Sequence, residues 1–186
     1  AKFLIERYPD RQRAIVFSNT GKEREETLNF VNECDKRWNL GVVWVEAVVH
    51  HDERMATTFK IVDFKTAARN GEPFEEVMKK YGLPNQAFPH CSRELKENCI
   101  HSYIKSLGWS DYETAIGIRA DEEHRVNRIK AKAEGYIYPL VDVMRVNSEF
   151  IRAWWEKQDF DLRLKDYQGN CDMCWKKSDR KLFTLM

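Results

Sequence analysis

The chain has 186 residues, is 42% hydrophobic and 33% charged, and sets 31 Lys and Arg against 30 Asp and Glu for a formal net charge of +1. That length suits one domain, or one domain with a small appendage, and the balanced charge argues against a general nucleic-acid coat or a membrane-surface protein, although a local basic patch can hide within it. Aromatics at 12%, with six Trp, exclude a disordered chain, and no apolar run reaches the 18 or so residues of a membrane span. The five cysteines are an odd number without secretory features. They point to a cytoplasmic protein with reduced thiols, a metal or a cluster rather than a disulfide framework.

Residues 1–8 carry apolar side chains at 1, 4, 5 and 8, a helical spacing that Pro9-Asp10 ends. The stretch is too short and too charged for a signal peptide, and because it already reads as the end of a helix, a preceding segment is expected. Residues 14–17 read as a buried parallel strand, followed by a turn at 18–21. Residues 23–38 read as a helix with Leu28, Val31 and Cys34 on one face and a Glu-rich first turn that suits its dipole. Residues 41–50 are strongly β, and 59–64 form a further strand or an extended loop. A short helix at 74–81 follows Pro73. Residues 92–107 form another, with Ser92 as cap and Leu95, Cys99, Tyr103 and Leu107 in one stripe. Residues 113–119 read as a short apolar strand, 121–135 as a charged helix or loop, and 136–140 as the lead into a connector. Ser148 is expected to cap a helix running to 158, and Gly169-Asn170 to open a last helix at 171–183. Strands alternate with helices throughout, the pattern of a single α/β domain over residues 1–186 with a mostly parallel sheet and helices on both faces.

Ligands of such sheets bind beyond the C-terminal ends of the strands, which singles out two loops. Ser18-Asn19-Thr20-Gly21-Lys22-Glu23 places small polar residues and a Gly between strand and helix, offering hydroxyls and backbone N–H groups to an anion. The alternative is an ordinary turn with Thr20 as a helix cap. In the second loop, residues 117–125, Arg119 and Arg125 could clamp a phosphate or sulfate, or the alternating acids and bases pair among themselves.

Two further places bear thiols. Cys91 stands just before a helix N-terminus, where a thiolate is stabilised, with Arg93 and Lys96 close behind. Cys171 and Cys174 form a C-x-x-C, able to converge on one atom or to form a redox disulfide. Cys91 is the natural third ligand, with His90 or Cys99 as a fourth for zinc, and three thiolates with an open position also suit a [4Fe–4S] cluster. Unligated thiols are the other reading. Cys34 belongs to the core. Trp109, Trp154, Trp155 and Trp175 read as core or rim, and Lys176, Lys177, Arg180 and Lys181 as a basic flank.

The order N-T-G-x-E-x-x-E-T-L-x-F (19–30), H-C-S-R-E-L-K (90–96), G-I-R-A-D-E (117–122), Y-P-L (138–140) and G-N-C-D-x-C-W-K-K-S (169–178) resembles the phosphoadenosine-phosphosulfate (PAPS) reductase-like branch of the adenine nucleotide alpha-hydrolase superfamily. The short members of bacteria and bacteriophages are nearest in pattern, and the resemblance runs from about residue 17 to 181. It implies a Rossmann-like three-layer α/β/α fold that binds ATP or PAPS, with the C-x-x-C in a C-terminal segment at about 166–186. Ser18, Asn19, Thr20, Gly21, Gly117 and Arg125 would lie toward the nucleotide, and Arg93, Lys96 and Arg119 toward phosphate or sulfate. Cys91, Cys171 and Cys174 would serve catalysis by holding an iron–sulfur cluster, with zinc as the alternative. The family's S-G-G-K-D-S pyrophosphatase loop is absent, so a first strand and loop are expected to precede this chain. The E-C-G-L-H tail of the reductases is also absent, which favours a sulfurtransferase, acting on a nucleic acid or a small molecule, over a free-standing reductase. A homodimer is a further expectation. The rival expectation is a non-catalytic nucleotide-binding or interaction protein with a structural metal site.

Overall fold

The β-branched and aromatic run Ile15–Asn19 forms strand β1, and Val42–Val48 forms β2. The computed structural model describes residues 1–165, 167–169, 171 and 174–185. β1 and β2 pair in parallel, with Asn19 opposite Glu46. Parallel neighbours need a long crossover, which helix α2 (Glu25–Trp38) supplies after the short helix α1 (Lys2–Arg7) and β1. Strand β3 (Thr58–Val62) lies antiparallel to β2, with Lys60 opposite Glu46. The sheet, ordered β1-β2-β3, is therefore mixed, with one parallel and one antiparallel pair. The cause is the link at residues 49–57, which falls short of the dozen or more residues of a parallel crossover. Leu28 of α2, Trp44 of β2 and Ala67 are buried together, with Phe17, Val31, Val42, Val62 and Phe64 packed around them. The protein is a mixed α/β chain.

Helix α3 (Glu72–Tyr81) starts from Gly71, whose φ of +96° no side-chain-bearing residue adopts easily. Gly21 has a φ of +77°, and a Cβ there would stand 2.9 Å from Pro73 Cδ and 3.0 Å from Gly71 Cα, so the loop after β1 packs directly on the start of α3. The helix expected at 92–107 is α4 (His90–Ser92), a π-helical stretch Arg93–Asn98 and α5 (Cys99–Ser106). Ser92 makes no capping bond, and the chain enters from Pro89. Buried side-chain hydrogen bonds fall on the widened turn. Ser18 Oγ donates to the Leu95 carbonyl at 2.5 Å, and the buried Glu94 carboxylate accepts from Thr57 and Asn98. Such widened turns gather at functional sites.

Contacts divide the chain into two units: Ala1–Gly108 with Leu162–Met186, and Trp109–Asp161. In the second, the strand expected at 113–119 is only β4 (Thr114–Ala115), parallel to β5 (Tyr136–Ile137). A 3₁₀ stretch, Ala120–Arg125, follows β4, and α6 (Arg128–Glu134) precedes β5. Ile118, Ala131, Tyr138 and Val141 form this unit's core. Short α7 (Pro139–Asp142) leads to α8 (Ser148–Trp155). The cap of α8 is Asn147, whose Oδ1 accepts from Phe150 N at 2.9 Å, and not Ser148. Within the first unit, the last helix is α9 (Asp179–Leu185), eight residues later than expected, and Cys171 precedes it in a turn where Cys174 N donates to Cys171 O at 3.1 Å. Asn170, Asp172 and Met173 of the C-x-x-C segment lie outside the described residues. Among the described residues no helix is long and apolar enough to cross a membrane.

Candidate functional site at the end of the first strand

Ser18, Asn19, Thr20 and Gly21 are all buried at the C-terminal end of β1. Each polar group there has an assigned task. Asn19 Nδ2 donates to Glu46 Oε1 at 2.7 Å and to the Ala68 carbonyl at 2.9 Å, while Asn19 Oδ1 accepts from Gly21 N at 3.2 Å. Thr20 N and Thr20 Oγ1 both donate to the Glu23 carboxylate, and Lys22 N donates to Thr20 Oγ1 at 3.3 Å. Thr20 and Glu23 thus make one half of a capping box ahead of α2. The loop's N–H groups at 20, 21 and 22 are satisfied internally, whereas the sequence suggested that they were offered to an anion.

The C-terminal segment reaches this loop from 151 positions away. Cys171 Sγ lies 3.7 Å from Thr20 Oγ1, and Lys177, itself buried, holds the segment by donating from Nζ to the Cys171 carbonyl at 2.8 Å. Burial pushes the Cys171 thiol up, the Glu23 and Cys174 charges push it the same way, and the Thr20 hydrogen bond and Lys96 pull against them. The balance leaves Cys171 above the ordinary thiol value, so at neutral pH it is a thiol and not a thiolate. The Ser18–Leu95 hydrogen bond and the Thr20–Cys171 contact join the strand-end loop to the π-helical stretch and to the C-x-x-C, and the exposed Lys96 of that stretch lowers the Cys171 thiol through its charge.

The other expected residues fare differently. Arg93 is tied to Glu94 at 2.6 Å and to His90 Nδ1 at 3.1 Å. Burial raises the Glu94 carboxyl, but hydrogen bonds from Thr57, Arg93 and Asn98 outweigh it and hold the group below its usual range. His90 stacks on Tyr81 and on Phe88. Cys99, proposed as a fourth ligand, is fully buried and its thiol is pushed up to about 11. Cys34 is buried as expected. Arg119 holds Asp121 through Nε and Nη2 at 3.0 and 3.3 Å and Glu122 at 3.3 Å, and Arg125 holds Glu122 at 2.5 Å. Internal pairing, the alternative reading of that loop, is what the 3₁₀ stretch displays. Gly117 belongs to the same unit, at an exposed position with open space where a Cβ would stand.

Among the described residues no three His, Cys, Asp or Glu side chains gather as a metal cradle. Cys91, Cys171 and Cys174 are all described and all free. As placed, these three residues are not gathered in the way a three-thiolate cluster or a zinc site needs. Two residues of the site escaped the sequence reading. Glu46 had a visible signal, a lone acid in the apolar run Val42–Val48, while burial of Lys177 in a basic flank had none.

A mixed α/β protein with a cysteine docked on a strand-end loop is the class that these features define. Over 171 residues the chain is 33% identical to the uncharacterized nin region protein ORF290 of Escherichia phage lambda, a match covering 90% of this chain and 57% of that protein. Over 133 residues it is 23% identical to the uncharacterized protein MJ0066 of Methanocaldococcus jannaschii, covering 71% of this chain and 23% of that protein. The chain therefore spans little more than half of the first relative and less than a quarter of the second. No protein-family model matches it, and no solved structure does.

Proposed function

We propose that the chain is part of an adenine-nucleotide-dependent enzyme of sulfur chemistry, PAPS reductase-like, with a Rossmann-like core that binds ATP or PAPS beyond the C-terminal end of β1. It would work in the cytoplasm, where thiols stay reduced, and pass sulfur to a nucleic acid or a small molecule. The observation that carries this reading is the docking of Cys171 on Thr20 within the field of Lys96. A thiol, a cation and a strand-end loop in one place are the parts that chemistry on an anionic sulfur-bearing ligand needs. In this scheme Lys96 draws the ligand's negative charge and lowers the thiol's proton affinity. Glu23, which holds Thr20 N and raises the thiol, is the group that the ligand must displace.

A second reading, nucleotide binding without turnover, is favoured by the raised Cys171 thiol, since the thiolate is the nucleophilic form. Titration calorimetry with ATP and with PAPS, alongside a pyrophosphate-release assay, separates the two. Binding with steady release of pyrophosphate supports the enzyme, and binding without release supports the second reading. Failure of both nucleotides to bind at millimolar concentration rejects both.

A further inference from the structure

We propose that Glu46 is a positioning residue for the strand-end loop, setting the orientation of the Asn19 amide and through it the turn on which Cys171 docks. The inference uses the site described above, and only its nucleotide arm rests on the proposed function. Three strands present one polar residue each in a single row: Asn19 on β1, Glu46 on β2 and Lys60 on β3 are successive register partners. Asn19 and Glu46 are both 0% exposed, in a sheet whose other residues are apolar except Ser18, Thr58 and Lys60. A buried carboxylate is costly unless it is hydrogen-bonded and its charge is paired, and Glu46 divides the two tasks between its oxygens. Oε1 accepts from Asn19 Nδ2 at 2.7 Å and from Ala68 N at 2.5 Å. Oε2 lies 2.9 Å from Lys60 Nζ, an ion-pair distance with an alignment too poor for a hydrogen bond.

The consequence for the loop follows from donor and acceptor types. A carboxylate only accepts, and so does the Ala68 carbonyl. Both lie against one end of the Asn19 amide, so that end must be the NH₂. The carbonyl end is thereby turned to Gly21, whose N–H it receives at 3.2 Å. Gly21 sits at positive φ with no room for a side chain against Pro73 and Gly71, so the turn has a single seat. Thr20, between Asn19 and Gly21, carries the hydroxyl that meets Cys171. Reach is what the chain of contacts requires of Glu46, since its acceptor must extend to Asn19 and Ala68 at once. Its charge is paired with Lys60, at the far edge of the row.

This distinction sets the test. Glu46→Gln keeps the reach and loses the charge, and Glu46→Asp keeps the charge and loses one methylene of reach. Amide hydrogen exchange at Gly21 and the alkylation rate of Cys171 by iodoacetamide, resolved by mass spectrometry, are read on the folded protein. Glu46→Asp is expected to raise both rates about fivefold, the change from losing one hydrogen bond of ordinary strength, with Glu46→Gln within about twofold of the parent. Equal effects in the two variants, no effect in either, or a larger effect in Glu46→Gln would overturn the proposal, since each points to charge or bulk stability instead of reach. ATP affinity, measured in parallel, is expected to weaken in Glu46→Asp alone. If the parent binds no nucleotide, the functional reading fails, and exchange and alkylation still decide the role of Glu46.

Discussion

Cys171 shows how single side chains set the reactivity of the site. Its thiol is raised by burial first and by Glu23 next, and lowered by Thr20 and Lys96. Thiolate is the reactive form, so alkylation of Cys171 in the parent should stay slow at pH 7 and climb only above the ordinary thiol range. Replacing Glu23 by Gln removes a repelling charge, lowers the thiol's proton affinity and should speed the reaction at pH 8 about threefold to tenfold. Lys96→Met acts in the opposite sense and should slow it. Site-resolved alkylation across pH 7–10 checks both signs, and a Glu23→Gln profile that moves to higher pH would refute the electrostatic account. Arg119 and Arg125 offer a contrast at the same scale. Their guanidinium groups are already engaged by Asp121 and Glu122, and the Asp121 hydrogen bond holds Arg119 above even its usual high value.

Among the elements, α8 carries a clean expectation. Asn147 accepts from Phe150 N, so Asn147→Ala should destabilise the protein by about 1 kcal/mol, and Ser148→Ala by much less. Urea unfolding of the two variants checks the order, and the reverse order would return the cap to Ser148. The cap was misplaced by one residue in the sequence because Asn and Ser are both good caps and stand side by side. Elsewhere local signals sufficed. The apolar spacing of α2 and the β-branched run of β2 lie where hydrophobic period placed them, whereas β1 runs on to Asn19 and takes up Ser18 and Asn19 of the turn expected at 18–21. What stayed hidden were features decided by distant partners. The π-helical stretch has its Leu95 carbonyl bonded by Ser18, 77 positions away. The direction of β3 depends on the length of its connection, and the late start of α9 sets Cys171 and Lys177 in a turn that no periodicity reports. At the site, the loop and Cys171 were legible as residue types. Their contact, and Glu46 behind it, came from pairing across the sheet.

At the scale of the whole molecule, the buried thiols couple stability to pH. Burial pushes Cys34 and Cys99 from the ordinary value of 9.0 up to about 11, and Cys171 moves in the same direction. Cys34 and Cys99 therefore keep their protons in the folded state over a range where the unfolded chain has lost them. The unfolded state binds fewer protons between about pH 9 and 11, and stability must fall as pH rises through that window. Below pH 9 both states hold the protons and no change is expected from these groups. A rise of that size corresponds to roughly 2 kcal/mol for each thiol, and the two residues are only 8% and 0% exposed. Lysines and tyrosines also titrate in this range, so the decisive comparison is between variants. Cys99→Ala should be less stable than the parent at pH 8, because it leaves a small cavity. From pH 8 to pH 11, however, it should lose about 2 kcal/mol less than the parent does, and Cys34→Ala should behave alike. Guanidinium unfolding at the two pH values measures both differences. Parallel pH dependences in parent and variants would mean that the core thiols ionise in the folded state as freely as in the unfolded one, contrary to their burial.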